Sequence, residues 1–193
     1  NPVWDYTVEP EDIPLDIIYE DEYLLAINKP ANMPVHPSML HYEETLSNAV
    51  KYYFDTLNLK RKIRIVNRLD KDTSGIVIFA KNEYIQECLI KQMKKKSFVK
   101  EYIAICEGNF ENRSGIINKP ISRKENSIIE RCVNENGDIA VTHYDLIKNN
   151  NDYSILHCTL ETGRTHQIRV HLAYIGHPII GDTLYGNKSE KLG

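Results

Sequence analysis

Four cysteines, Cys88, Cys106, Cys132 and Cys158, are all that the chain contains, and they stand 18, 26 and 26 positions apart. No CxxC pair occurs, which excludes zinc knuckles and thioredoxin-type redox chemistry. The runs IAICEG and ILHCTL place cysteine among apolar neighbours, where a thiol packs as a small hydrophobe. Long apolar runs are missing too, and none reaches the roughly 18 residues that a membrane-spanning helix needs. There is no HExxH, and His166 and His171 lie five positions apart, so the histidines carry no zinc signature. GxGxxG and GxxxxGK(S/T) are absent, and with them the phosphate cradles of nucleotide cofactors. Ser74 in DTSGI lacks the GxSxG elbow of the serine hydrolases. The chain opens Asn1-Pro2-Val3-Trp4 with no basic, apolar leader. These absences lead us to expect a cytoplasmic protein with no membrane segment, no metal and no cofactor.

What is present is enough for a core. A length of 193 residues, 41% of them hydrophobic and 26% charged, supports one globular domain without cross-links. The net charge of −3 is unevenly spread. Residues 1 to 30 hold eight acids and one base, whereas Lys60 to Lys100 hold twelve bases against four acids. A basic block of that density attracts a polyanion or forms a solvated helix face.

The opening segment, residues 1–23, is acidic and interrupted by Pro10 and Pro14, and reads as an extended strap. LLAINK (24–29) reads as a strand, and Pro30, Pro34 and Pro37 make the next stretch a loop. From Thr45, a candidate N-cap, Leu46, Ala49, Val50, Tyr53, Phe54 and Leu57 form the stripe of an amphipathic helix. IRIV (63–66) and GIVIFAK (75–81) read as strands flanking the loop NRLDKDTS, and a second helix starts near Asn82 with Ile85, Cys88, Leu89 and Met93 inward. Strands are expected at 100–108, 140–147 and 153–161, with turns and short strands between 109 and 138. A last helix begins at Thr165 and stops at Gly176. Strands outnumber helices without alternating regularly, so the class is α+β with a mixed, mostly antiparallel sheet.

The loop NRLDKDTSG hangs Arg68, Asp70 and Asp72 between two apolar runs in the most basic part of the chain. Asp72, before Thr73-Ser74-Gly75, fits an Asx turn. Asp70 follows Leu69, and nearby cations keep such a carboxylate ionised and available as a nucleophile.

RIVNRLDKDTSGIVIFAKN, KEYIAICEG and LETGRTHQIRVHLAYIGHPIIGDTLYG resemble the three signature blocks of the RluA-type pseudouridine synthases, and YEDEYLLAINKPANMPVHP resembles their entry strand and loop. The resemblance runs from about residue 15 to 186 and points to the members that act on the ribosomal large subunit. It implies a bifurcated sheet flanked by helices, and isomerisation of uridine to pseudouridine in structured RNA, ribosomal or transfer RNA, without metal or cofactor. Carried over by position, the nucleophilic aspartate is Asp70, the active-site tyrosine Tyr102, and the basic residue paired with the aspartate Arg169. Arg68 matches the arginine that enters the RNA stack when the target base is flipped out. Arg164, Gln167, Lys95 and Lys96 are the remaining expected RNA contacts. The resemblance also leads us to expect a monomer, with an S4-like RNA-binding domain absent upstream and the last strand missing after residue 193. One position departs from the pattern: Asn67 stands where the family usually has histidine.

Two other classes compete. A non-catalytic RNA-binding module of the same fold would keep the basic face, but the joint presence of Asp70, Tyr102 and Arg169 argues against it. A carboxylate-based glycosidase needs two acids facing each other across a sugar, and Asp70 and Asp72 share one short loop.

Overall fold

In the computed structural model, which describes residues 8–38, 42–59, 61–95 and 97–186, the chain divides into two compact units, 1–98 and 99–193. In the first, β1 (Ile17–Glu20), β2 (Leu24–Lys29) and β3 (Gly75–Ala80) form an antiparallel sheet in the order β1-β2-β3. The register runs from Leu24 opposite Ala80 to Lys29 opposite Gly75. Helix α1 (Leu46–Thr56) lays Leu46, Val50 and Phe54 against Leu25, Ile27, Val77 and Phe79, the buried centre of this unit. Thr45 is the expected N-cap: its hydroxyl accepts from the Asn48 N–H at 3.3 Å, and the Asn48 side chain accepts in return from the Thr45 N–H at 3.1 Å. Asn82 caps α2 (Glu83–Lys94) with its Oδ1, which accepts from the Ile85 N–H at 2.9 Å. Ile85, Cys88, Leu89 and Met93 of α2 are half-buried rather than buried, so this helix lies at the edge of its unit.

Two sequence expectations change here. Residues 1–7 of the strap lie outside the described residues; from 8 to 16 it has no regular structure, and Ile17–Glu20 then pairs with β2 as an edge strand. Glu20 anchors that edge by accepting from Tyr53 Oη and Lys81 Nζ, both at 2.7 Å. The run 63–66 forms no ladder of its own. It makes one bridge, Ile65 to Phe79, flanked by Ala80 N–H to Arg64 O and Val66 N–H to Ile78 O, on the edge of β3 that β2 leaves open.

The second unit holds a four-stranded antiparallel sheet in the order β4-β9-β8-β5, from β4 (Glu101–Glu107), β5 (Ser114–Asn118), β8 (Val141–Asn149) and β9 (Tyr153–Leu160). A separate hairpin joins β6 (Ile121–Arg123) to β7 (Arg131–Val133). Along β4 the even positions Ala104 and Cys106 are buried while Ile103 and Ile105 are exposed, the period of two expected of a strand with one covered face. Helix α3 (Gln167–Tyr174) contributes Leu172, packed with Ala104, Cys106, Leu156 and Cys158. Burial pushes the Cys106 and Cys158 thiols up to about 11 and about 12, so both are inert packing residues. Among the described residues all four cysteines are free thiols, and every strand pairing is antiparallel.

Helix α3 starts at Gln167, two residues later than Thr165, because His166 takes a left-handed conformation with φ 58° and serves as N-cap through its backbone, its ring being directed to Tyr185 rather than to the helix N–H groups. Gly176, at φ 88°, ends the helix as expected. The helix is held by a buried polar chain. His171 Nε2 lies 2.9 Å from the Lys119 carbonyl, which can only accept, so the Nδ1 at 2.9 Å from Thr142 Oγ1 accepts from that hydroxyl. Thr142 Oγ1 in turn accepts from Gln167 Nε2 at 3.0 Å. Burial lowers the His171 imidazole below its ordinary value, against the raising effect of the Lys119 carbonyl. A group whose proton is held more tightly by the unfolded chain costs stability as pH falls below about 6.5. Thr142→Val, which strands His171 Nδ1 and one Gln167 hydrogen, is expected to lower stability by about 1–3 kcal/mol in urea unfolding at pH 7.5. His171→Leu is expected to flatten the loss of the wild-type unfolding midpoint between about pH 6.5 and 5.

Candidate active site

In the first unit, everything converges on the loop from Asn67 to Ser74. Asn67 replaces backbone with side chain: its Nδ2 donates to Ile76 O at 2.9 Å and its Oδ1 accepts from Ile78 N–H at 2.8 Å, so the pairing of Val66 is continued while the main chain turns away. Leu69 packs on the apolar centre of the unit. Gly75, at φ 128°, re-enters the sheet in a conformation that a side chain disfavours. Between these fixed ends the Thr73 N–H bonds the Asp70 carbonyl at 3.1 Å, closing a turn that leaves Asp70 half-buried and Asp72 exposed.

The loop is tied down from below by Lys29. This side chain is fully buried, with 0% exposure, and its ammonium donates to the carbonyls of Pro30 at 2.7 Å, Met33 at 2.8 Å and Lys71 at 2.9 Å. The Lys71 carbonyl also accepts from the Met33 N–H at 3.1 Å, so the proline-rich loop and the Asp70 loop meet at one atom. Burial drives the Lys29 ammonium down to about 8, while the Asp72 and Asp70 carboxylates oppose that shift. The lysine therefore remains charged at neutral pH, with all three hydrogens used.

In the second unit, Tyr102 sits on β4 opposite Cys158, half-buried against the apolar cluster that holds Ala104, Cys106 and Leu172. Arg169, three residues into α3, is gripped side-on by Asp182, Nε to Oδ2 at 2.7 Å and Nη2 to Oδ1 at 2.9 Å. Asp182 also accepts the Leu184 and Tyr185 N–H groups at 2.9 and 3.1 Å, and its side chain is 3% exposed. Burial pushes its carboxyl up, but the Arg169 bond and the two N–H groups outweigh that, and the net position is below the usual carboxylate value. The Arg169 guanidinium carbon stands 4.9 Å from the centre of the Tyr185 ring, a cation–π contact. Tyr185 Oη accepts from the Arg131 N–H at 2.8 Å and lies 2.6 Å from His166 Nδ1. Held along one edge by Asp182 and covered on one face by Tyr185, the Arg169 guanidinium is fixed in orientation.

The expected RNA contacts fall out unequally. Arg68 is exposed on the Asp70 loop, Lys95 is exposed as the C-cap of α2, and Arg164 is exposed in the turn before α3. Lys96, like Lys60, lies outside the described residues. Gln167 is corrected: it is 3% exposed and its four hydrogen-bonding valences are filled, Oε1 by Thr162 Oγ1 and the Arg164 N–H, Nε2 by Val141 O and Thr142 Oγ1. It organises the β9–α3 turn and has nothing left for RNA. Sequence reasoning missed Lys29, Asp182 and Tyr185. The signals present were a lysine ending an apolar strand in LLAINK, and an aspartate and tyrosine within the GDTLYG block.

Lys29→Met leaves two carbonyls unpaired and is expected to cost about 2–3 kcal/mol in urea unfolding at pH 7. The unfolded lysine keeps the proton that the folded one gives up above about 8, so wild-type stability rises toward pH 10.5 and the gap to the variant widens there. A gap that is constant from pH 7 to 10 would remove Lys29 from this role.

Residues 23–174 match the RNA pseudouridylate synthase family. The chain is 43% identical over 188 residues to the RNA pseudouridine synthase YhcT of Bacillus subtilis, covering 96% of this chain and 62% of that protein. It is 44% identical over 184 residues to the ribosomal large subunit pseudouridine synthase D of Blochmanniella floridana, covering 94% of this chain and 57% of that one. The chain thus spans about three-fifths of the length of these curated relatives. Among solved structures, the human RNA pseudouridylate synthase domain containing 1 superposes with a TM-score of 0.77 at 25% identity, over 92% of this chain and 72% of that one. The fold is therefore the α+β, antiparallel-sheet architecture of these enzymes, and with a family match across most of its length the chain belongs to the RNA pseudouridylate synthases.

Proposed function

We propose that the chain isomerises uridine to pseudouridine in structured RNA, ribosomal RNA first and transfer RNA second. The observation that carries this reading is the immobilised Asp70 loop, pinned by Asn67, Leu69 and Lys29, in a chain of this family. A carboxylate fixed in place loses little entropy on reaching its target atom, which is what an attack at a crowded sugar carbon requires.

In this mechanism the ionised Asp70 adds to C1′ or removes a ribose proton, and either route breaks the N1–C1′ bond. The freed uracil turns and C5 bonds to C1′ as the Asp70–C1′ bond breaks, or, in the elimination route, as Asp70 returns the proton to the ribose; the C5 proton departs and N1 gains one, so the product is an isomer of the substrate. Tyr102 stacks on the uracil, and its phenolic oxygen takes the C5 proton as its own proton passes on toward N1. Arg169, oriented by Asp182 and Tyr185, is the basic member of the catalytic set. The target base must leave the helix, at a cost of a few kcal/mol, and exposed Arg68 fills the gap it leaves. Lys95, Lys96 and Arg164 supply phosphate contacts.

Tritium release from RNA transcribed with 5-tritiated uridine tests the reading directly. Wild-type protein is expected to release tritium with or without EDTA, and Asp70→Ala to fall by at least about 1,000-fold. Absence of release from both ribosomal and transfer RNA, with salt-sensitive binding retained, would make the chain a binding module. Tyr102→Phe keeps the ring and loses the phenol, so RNA affinity is expected to change less than about threefold while release drops by about 100-fold or more. Equal loss of affinity and release would assign Tyr102 to binding alone.

A further inference from the structure

Lys100 and Arg164 form a pair of cations with no acidic partner among the described residues. Lys100 immediately precedes β4, and its carbonyl accepts from the Leu160 N–H at 3.0 Å, which fixes its backbone against the end of β9. Its half-buried side chain folds over the β9–α3 turn so closely that a Cβ on Gly163 would stand 3.1 Å from Nζ. Arg164 follows Gly163, its Nε spent on the Ile139 carbonyl at 2.9 Å, which leaves its two Nη groups pointing away from that bond. Among the described residues neither cation has an acidic partner. The nearest acids in sequence, Glu101 and Glu161, face His157 at 3.4 Å and His143 at 2.6 Å. Burial first, and the Arg164 guanidinium second, lower the Lys100 ammonium below its ordinary value.

Two like charges drawn together, one of them half out of water, are unfavourable in the free protein unless an anion completes them. The turn is shaped for such a group, because Gly163 has no side chain to occupy the space beside Nζ. Lys100 and Tyr102 lie two residues apart and so on the same face of β4, about 6.7 Å along the strand. That separation is within the span of one nucleotide. We infer that Lys100, Gly163 and Arg164 form a phosphate-binding corner that holds the RNA backbone beside the nucleotide on which Tyr102 acts.

The inference rests on the isomerase reading for the identity of that nucleotide, and the test separates the two. Binding of a structured transcript is measured from 50 to 300 mM KCl for wild type, Lys100→Gln, Arg164→Gln, the double variant and Lys100→Arg, and tritium release is read on the same RNA. Each Gln variant is expected to bind about tenfold more weakly at low salt and to lower the slope of log K against log salt by about 0.7–0.9. The double variant should lose little more slope than either single one, because both cations serve one phosphate, and Lys100→Arg should restore it. Lys100→Gln is expected to leave the thermal unfolding midpoint unchanged or raised, since it removes an uncompensated charge. An unchanged slope with tritium release intact would overturn the corner and leave the isomerase standing. A lowered slope with no release by wild type would keep the corner and overturn the isomerase. A lowered midpoint with unchanged slope would make Lys100 a structural residue and overturn the corner.

Discussion

The Lys29 ammonium reaches carbonyls of two loops that lie about 40 residues apart in the chain, and the placement of Asp70 depends on it. Carbonyl oxygens in proline-rich or tightly turned backbone have few N–H partners available, because proline supplies none and a turn points its oxygens outward. A buried cation with three hydrogens satisfies three such oxygens at once. It also sets a positive charge beneath a loop that carries Asp70 and Asp72, and those two carboxylates oppose the fall that burial imposes on the ammonium.

The second unit solves a parallel problem with the opposite charge. Here a buried carboxylate, Asp182, collects two backbone N–H groups and one side of a guanidinium, and so fixes a cation rather than an anion. Tyr185 adds a ring against Arg169 and a hydroxyl that reaches His166 and the start of β7. In each unit the residue proposed to meet substrate is supported by a buried ion of opposite sign to itself, and by main-chain groups rather than by side chains alone.

Much of this was legible in the sequence, and what was not has identifiable causes. The stripe after Thr45, the strands at 24–29, 75–80, 101–107 and 153–160, and the turn at Gly176 follow from local periodicity and caps, and the structure shows each. The run 63–66 has strand composition, but whether it forms a ladder depends on which edge of β3 is open, a long-range fact. His166 starts α3 from a left-handed conformation that no local pattern announces. Gln167 sits between basic residues and so looks like an RNA contact, and only the position of Val141 and Thr142 across the fold shows why it is buried. Lys29 and Asp182 escaped because ionisable residues are usually solvated, and a sequence does not display the partners that make burial affordable.

Asn67 carries one more consequence. Its amide offers one donor and one acceptor to β3, whereas a neutral imidazole would carry its donor and its acceptor on separate ring nitrogens. The two differ in acid. An imidazole gives up its acceptor on protonation near pH 6.5, whereas an amide has no proton to gain in that range. The hinge from which the Asp70 loop hangs is therefore blind to acidity, and a fall in pH leaves this attachment as it was.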